Sequence, residues 1–151
     1  MRWLVTLIIC ALPLLVAAAE TQSPHRCSPD DIAIGGYDLV SYHQPGGPEA
    51  GLAEYSTQLG GLSYRFTSAG NRDLFLSSPV KYLPRYQGWC AATLAMGRLA
   101  CPDHSNFKIE DGQLLLFELI GFTNGRTVWN SDPAGFRRRA DANAVTLLKN
   151  R

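Results

Sequence analysis

With 151 residues, 18% of them charged, and a formal net charge of +1, the chain suffices for one ordinary domain with its own core. So even a balance leaves no electrostatic footprint for nucleic acid or an anionic membrane surface. The sequence contains no Gly-x-Ser-x-Gly elbow, His-Glu-x-x-His pair, phosphate loop or dinucleotide fingerprint, so no common enzyme constellation is present.

Residues 1–19 read as a secretory signal. Arg2 supplies the positive start, Leu4 to Val16 the apolar stretch, and Ala17-Ala18-Ala19 the small-residue cleavage site. The apolar stretch is short for a membrane span, which needs about 20 residues, so no span is expected after cleavage. Residues 20–33 are polar and read as a loose arm, and 34–148 as the domain. Ala53–Leu59 and Leu62–Phe66 around Gly60-Gly61 form a hairpin pattern, and Phe107–Glu110 and Gln113–Glu118 around Asp111-Gly112 form a second. Ser68 is placed to cap a helix running to about Ser77, and Pro79 to start a further turn. Trp89 to Met96 reads as a short buried helix, Asn124 to Asn130 as another, and Asp132-Pro133 as the start of a last helix reaching about Leu148. Phe75, Pro79 and Tyr82 share their spacing with Trp129, Pro133 and Phe136. This echo predicts a reused helix-Pro-helix corner, too short for a repeat architecture. Arg137-Arg138-Arg139, the one basic run, reads as a solvated helix face. The expected fold is a small single α+β domain of two β-hairpins with short helices packed around them.

Cys27, Cys90 and Cys101 lie beyond the signal. Export favours disulfides, and three cysteines leave one thiol over. Cys90–Cys101 would close a short loop, Cys27–Cys101 would pin the arm and leave Cys90 free, and the sequence alone does not choose between them, with no disulfide at all as the third alternative.

Gly36-Tyr37-Asp38-x-Val40, Tyr64-Arg65-Phe66, Asn71-Arg72-Asp73-x-Phe75, Pro79-x-x-Tyr82 and Gly88-Trp89-Cys90-Ala91 follow one another in order. With these motifs the chain resembles YHS-domain proteins, in particular their exported bacterial single-domain branch. The resemblance implies a small α+β fold and an association with metals. It also implies three thiolate positions, but here they hold Ser41, Thr67 and Asn71, and hydroxyl and amide groups are poor soft-metal ligands. Cys90 matches a cysteine typical of the exported branch.

Cys90, with His43 and Met96, could form a mixed nitrogen–sulfur site for a transition metal, copper ahead of zinc. Tyr64, Tyr86 and Trp89 could line a pocket for a small ligand beside Cys90. His25-x-Cys27 with Cys101 and His104 offers four further donors but lacks the tight Cys-x-x-Cys knuckles of zinc ribbons. The leading expectation is thus a periplasmic or secreted binding protein for a metal ion or small ligand. The alternatives are an envelope accessory protein without metal, in which Cys90 is buried or disulfide-bonded, and a thiol redox protein.

Overall fold

The computed structural model describes Cys27 and residues 29–149; the signal expected over 1–19 lies outside the described residues. Ile34-Gly35-Gly36 winds as a left-handed turn with φ of 50°, 59° and 83°. It is closed by the Tyr37 amide donating to the Ile34 carbonyl at 3.1 Å. A short 3-10 turn at Ser41–His43 follows. Then comes an antiparallel hairpin of β1 (Leu52–Leu59) and β2 (Leu62–Phe66), whose turn residues Gly60 and Gly61 both take positive φ. Helix α1 (Ala69–Ser77) starts where the Ser68 hydroxyl accepts the Asn71 amide at 3.1 Å, and Pro79 opens α2 (Pro79–Tyr82).

The same order of elements then recurs. Tyr86-Gln87-Gly88 is again left-handed, with φ of 61°, 55° and 84°, and the Trp89 amide closes it onto the Tyr86 carbonyl at 3.1 Å. Helix α3 (Ala91–Ala95) follows, then a hairpin of β3 (Asp103–Glu110) and β4 (Gln113–Phe117) turning at Asp111-Gly112. Both hairpins carry the same irregularity. Leu52 pairs with Phe66 and Ser56 with Arg65; Asp103 pairs with Phe117 and Phe107 with Leu116. Helix α4 (Gly125–Ser131) is capped by the Asn124 side chain, which accepts the Arg126 amide at 2.9 Å. Helix α5 (Pro133–Leu147) begins at a proline, like α2, with the Asp132 carboxylate accepting the Gly135 amide at 2.9 Å. The corner echo visible in the sequence, which alone is too short for a repeat architecture, is therefore the end of a longer correspondence. The two units share few side chains and many backbone conformations, which is why composition hid them.

Two segments have no counterpart: α5 runs on past Phe136 to Leu147 where α2 stops at Tyr82, and the link from strand to helix cap is longer in the second unit. Thr67 alone separates Phe66 from the Ser68 cap, whereas Glu118 to Thr123 separate Phe117 from the Asn124 cap. The added residues form a third small hairpin, β5 (Leu119–Ile120) with β6 (Thr123–Asn124), beyond the two that were expected.

Each unit has its own apolar cluster, and β4 supplies both. Leu114 and Leu116 join Leu39, Leu62, Phe66, Phe75 and Tyr82 of the first unit. Leu115 and Phe117 join Cys90, Leu94, Trp129 and Ala140 of the second. A strand buried on both faces reads as a continuous apolar run, as Leu114–Phe117 does, whereas β2 alternates Leu62, Tyr64 and Phe66 inward with Ser63 and Arg65 outward. The presumed arm is tied down in part. Ile32 bridges to Ser63, Ala33 is buried, and Cys27 packs on the second cluster.

Candidate functional site

The disulfide joins Cys27 to Cys101 with Cα atoms 5.2 Å apart, so Cys90 is the free thiol among the described residues. The bridge fixes the chain ahead of the first unit to the segment that enters β3. Closing a loop of 74 residues contributes about 4 kcal/mol on the chain-entropy account.

Cys90 is 0% exposed. It stands at the N-cap of the five-residue α3, its carbonyl accepts the Leu94 amide at 3.0 Å and the Thr93 hydroxyl at 3.2 Å, and its sulfur faces the start of α4 at Gly125. The place equivalent to Cys90 in the first unit is Asp38, two residues past the left-handed turn and also 0% exposed. In the sequence Asp38 stands out only as part of the Gly36-Tyr37-Asp38-x-Val40 motif. In the structure Arg72 pairs with Asp73 at 3.0 Å, and Asp38 is the polar centre of its unit. One carboxylate oxygen accepts the Val40 amide at 2.8 Å. The other accepts the Thr67 amide at 2.9 Å, the Thr67 hydroxyl at 2.8 Å and the Asn71 side-chain amide at 2.6 Å. Ser41 donates its hydroxyl to the Asp38 carbonyl at 2.7 Å. A buried carboxylate persists only when donors replace its lost water, and this one has them from three segments. Ser41, Thr67 and Asn71 thus converge on one point, as donors to Asp38 rather than as ligands.

His43, Met96 and Cys90 stand in three different surroundings. His43 lies edge-on to Tyr82 at 5.4 Å, at the margin of the first cluster. Burial, then the nearby Lys81 charge, lowers its pKa, so its imidazole is neutral at neutral pH, and its buried Nε2 has no partner among the described residues. Met96 ends α3 and is 53% exposed. Among the described residues no group of three His, Cys, Asp or Glu side chains is placed to hold a metal ion. His104 supports the fold: it packs where a side chain on Gly35 would fall, 2.6 Å from its Nδ1, and its carbonyl accepts the Tyr42 hydroxyl at 2.6 Å.

The three aromatics named for a ligand pocket also part company. Tyr64 is buried and stacks on Phe75 at 5.2 Å. Trp89 is buried in the second cluster, its Nε1 without a partner among the described residues. Tyr86 alone lines an open groove of about 500 Å³, together with Gln87 of the left-handed turn and Ala144, Val145, Leu148 and Lys149 of the chain's last turns. The groove's wall is largely apolar. The Tyr86 hydroxyl donates to Asp141 at 2.9 Å, and burial followed by that carboxylate pushes its pKa up to about 12. Arg85, which also lines the groove, reaches the same carboxylate at 2.9 Å, so Asp141 ties Tyr86 and Arg85 together beside it. The Gln87 Oε1 is buried and has no partner among the described residues. Both Tyr86 and Gln87 hold a left-handed backbone that costs a non-glycine residue roughly 1 kcal/mol or more. The sequence carried one signal for this groove: Tyr86-Gln87-Gly88 sits where the first unit has Ile34-Gly35-Gly36, with a polar side chain in place of one glycine.

No protein-family model matches the chain, and no curated protein or solved structure matches it either. No helix among the described residues is long and apolar enough to cross a membrane.

Proposed function

We propose that this chain is an exported binding domain of the YHS type, periplasmic or secreted, whose ligand site is the groove at Tyr86 and Gln87. The ligand class is a small apolar molecule with one hydrogen-bond donor. The observation that carries this reading is the apolar groove itself, beside the Gln87 side chain whose Oε1 has no partner among the described residues. An acceptor withdrawn from water is costly unless a donor reaches it, and turning the Gln87 side chain into the groove would let a ligand N–H do so. Export is supported by the Cys27–Cys101 disulfide, which belongs to an oxidising compartment. The YHS resemblance is supported by the convergence of Ser41, Thr67 and Asn71 on one centre.

Indole, a planar apolar molecule with a single N–H donor, serves as the probe. Titration followed by amide chemical shifts moves the resonances of Gln87, Val145 and Leu148, and Gln87→Ala weakens binding roughly fivefold to tenfold, the worth of one neutral hydrogen bond. Shifts scattered away from these residues, or an unchanged affinity in Gln87→Ala, would reject the site.

A transition-metal function, copper ahead of zinc, draws support from one observation, the neutral His43 imidazole whose Nε2 has no partner among the described residues. Cys90 could contribute only if the core around it opened. Cu(I) titration of wild type, His43→Gln and Cys90→Ser decides the point: equal affinity in all three removes both residues from any metal site.

A further inference from the structure

One wall of the groove is a face of α5 and of the turn that ends it. Asp141, Ala144, Val145, Leu148 and Lys149 follow at the spacing that brings helical side chains onto one side. Along that face the chemistry changes in order. At the upstream end Asp141 is fully engaged, accepting the Arg85 guanidinium and the Tyr86 hydroxyl, each at 2.9 Å. Arg85 is engaged in turn, because its other terminal nitrogen donates to the Gln113 side chain. Ala144, Val145 and Leu148 then form an apolar stretch. At the downstream end stands Lys149, exposed and with no carboxylate partner among the described residues. A helix rises about 1.5 Å per residue, so the path from Ala144 to Lys149 is on the order of 8 Å. The groove thus has one end whose charges cancel, an apolar middle, and one end with a cation that nothing described balances.

We propose that the groove takes an amphipathic monoanion, with an apolar body on the order of 8 Å long and a carboxylate that pairs with the Lys149 ammonium. This rests on the groove being the ligand site, and it adds the charge of what the groove holds. The apolar body lies along Ala144, Val145 and Leu148 and faces Tyr86. A neutral ligand gains nothing from Lys149. A carboxylate seated beside the apolar stretch gains a charge-assisted hydrogen bond where the ligand itself displaces water. A cation is the competing class, because the last carbonyls of a helix carry partial negative charge. Here Lys149 follows the helix end and offsets that charge, and Asp141, which could otherwise receive a cation, already serves two donors. The sign of the groove is therefore set by Lys149.

Three probes on one ring system vary the charge: indole-3-acetate, 3-methylindole and tryptamine. Each is titrated into the disulfide-intact protein at low salt and followed by the amide chemical shifts of Val145, Leu148 and Lys149. Indole-3-acetate binds roughly threefold to tenfold more tightly than 3-methylindole, and tryptamine binds more weakly than either. The advantage of the anion fades as salt is raised to about 1 M, where exposed charges are screened, while 3-methylindole keeps its affinity. Lys149→Gln removes the same advantage and leaves 3-methylindole unchanged. The position is exposed and belongs to neither apolar cluster, so the variant folds as wild type does. Equal affinities for the three probes, a preference for tryptamine, or an anion preference that survives Lys149→Gln overturns the proposal, while binding of 3-methylindole at these amides keeps the groove as a ligand site. If none of the three probes moves these resonances, the groove reading itself falls, and the charge inference falls with it.

Discussion

The two units place different chemistry at the same backbone position. In the first, two residues past the left-handed turn, Asp38 is buried and gathers donors from Val40, Thr67 and Asn71. In the second, Cys90 is equally buried and surrounded by Leu94, Phe117 and Trp129. The first unit adds a centre of directional hydrogen bonds to its apolar cluster. The second is locked by apolar packing and by a disulfide from outside the unit, and it carries both the groove and the extra hairpin. One backbone plan is thus stabilised by two kinds of force, and the groove that suggests binding sits on the unit whose interior is apolar.

The largest effect expected of a single substitution is at Asp38. Asp38→Ala strands donors from three segments in the core and should cost about 3–5 kcal/mol in urea unfolding, whereas Cys90→Ala, which removes only a sulfur from apolar packing, should cost about 1–2 kcal/mol. Similar costs at the two positions would erase the distinction between the units. Next is the bridge. Cys27→Ser with Cys101→Ser should lower stability by about 2–4 kcal/mol, read as the midpoint shift between oxidised wild type and the double variant. A shift smaller than that of Cys90→Ala would mean that the second unit holds without its tether.

Gly35→Ala is the third test. The position takes φ +59°, and a Cβ would fall 2.6 Å from the His104 ring, so a loss of roughly 1–3 kcal/mol is expected by thermal unfolding. At the matching position of the second unit a side chain is already accommodated. Gln87→Gly should therefore gain up to about 1 kcal/mol while weakening indole, the smallest effect of the set and one of opposite sign.

Between these lies a pH effect. Burial lowers the pKa of His43, helped by Lys81, and that of His104, against the opposing pull of Asp103. A base whose folded pKa is depressed leaves stability intact above its unfolded value. As pH falls through about 6.5 the unfolded chain takes up protons that the folded one refuses, and stability declines until the folded pKa values are passed. The melting temperature should drop between pH 7 and 5, and His104→Gln should flatten part of that slope. A flat profile for wild type would show that both rings meet water in the folded state. Glu110 lies on the acid side. Its own burial opposes ionisation, but hydrogen bonds from Lys108, Arg137 and Trp129 hold its pKa below the ordinary value, so its contribution is lost only as pH falls below about 4.5.

Much of the local structure was legible because it is written in near neighbours. Ser68, Asn124 and Asp132 stand where helices begin, Pro79 and Pro133 at first turns, and Gly60-Gly61 and Asp111-Gly112 where strands reverse. These signals act within four residues and need no tertiary context. The left-handed turn at Tyr86-Gln87 was not legible, since neither residue favours that conformation and only packing around it enforces it. Arg137 was likewise misplaced in a solvated face. It pairs with Glu110 and with Asp111 at 2.6 Å, clamping the β3–β4 turn to α5 across a separation the sequence does not reveal.

By itself, then, the sequence determined the α+β class, the order of helices and hairpins, and the three cysteines from which one pair could form, because caps, turns and apolar periods are local. Tertiary structure decided that Cys27 takes Cys101 and leaves Cys90 sealed, that Asp38 collects Thr67 and Asn71, and that β4 serves two cores. It also set Tyr86 and Gln87 against the end of α5, leaving Tyr64 and Trp89 inside. Each of these joins residues far apart in the chain, where free energy comes from burial and from satisfying polar groups withdrawn from water, and neither can be read from spacing alone.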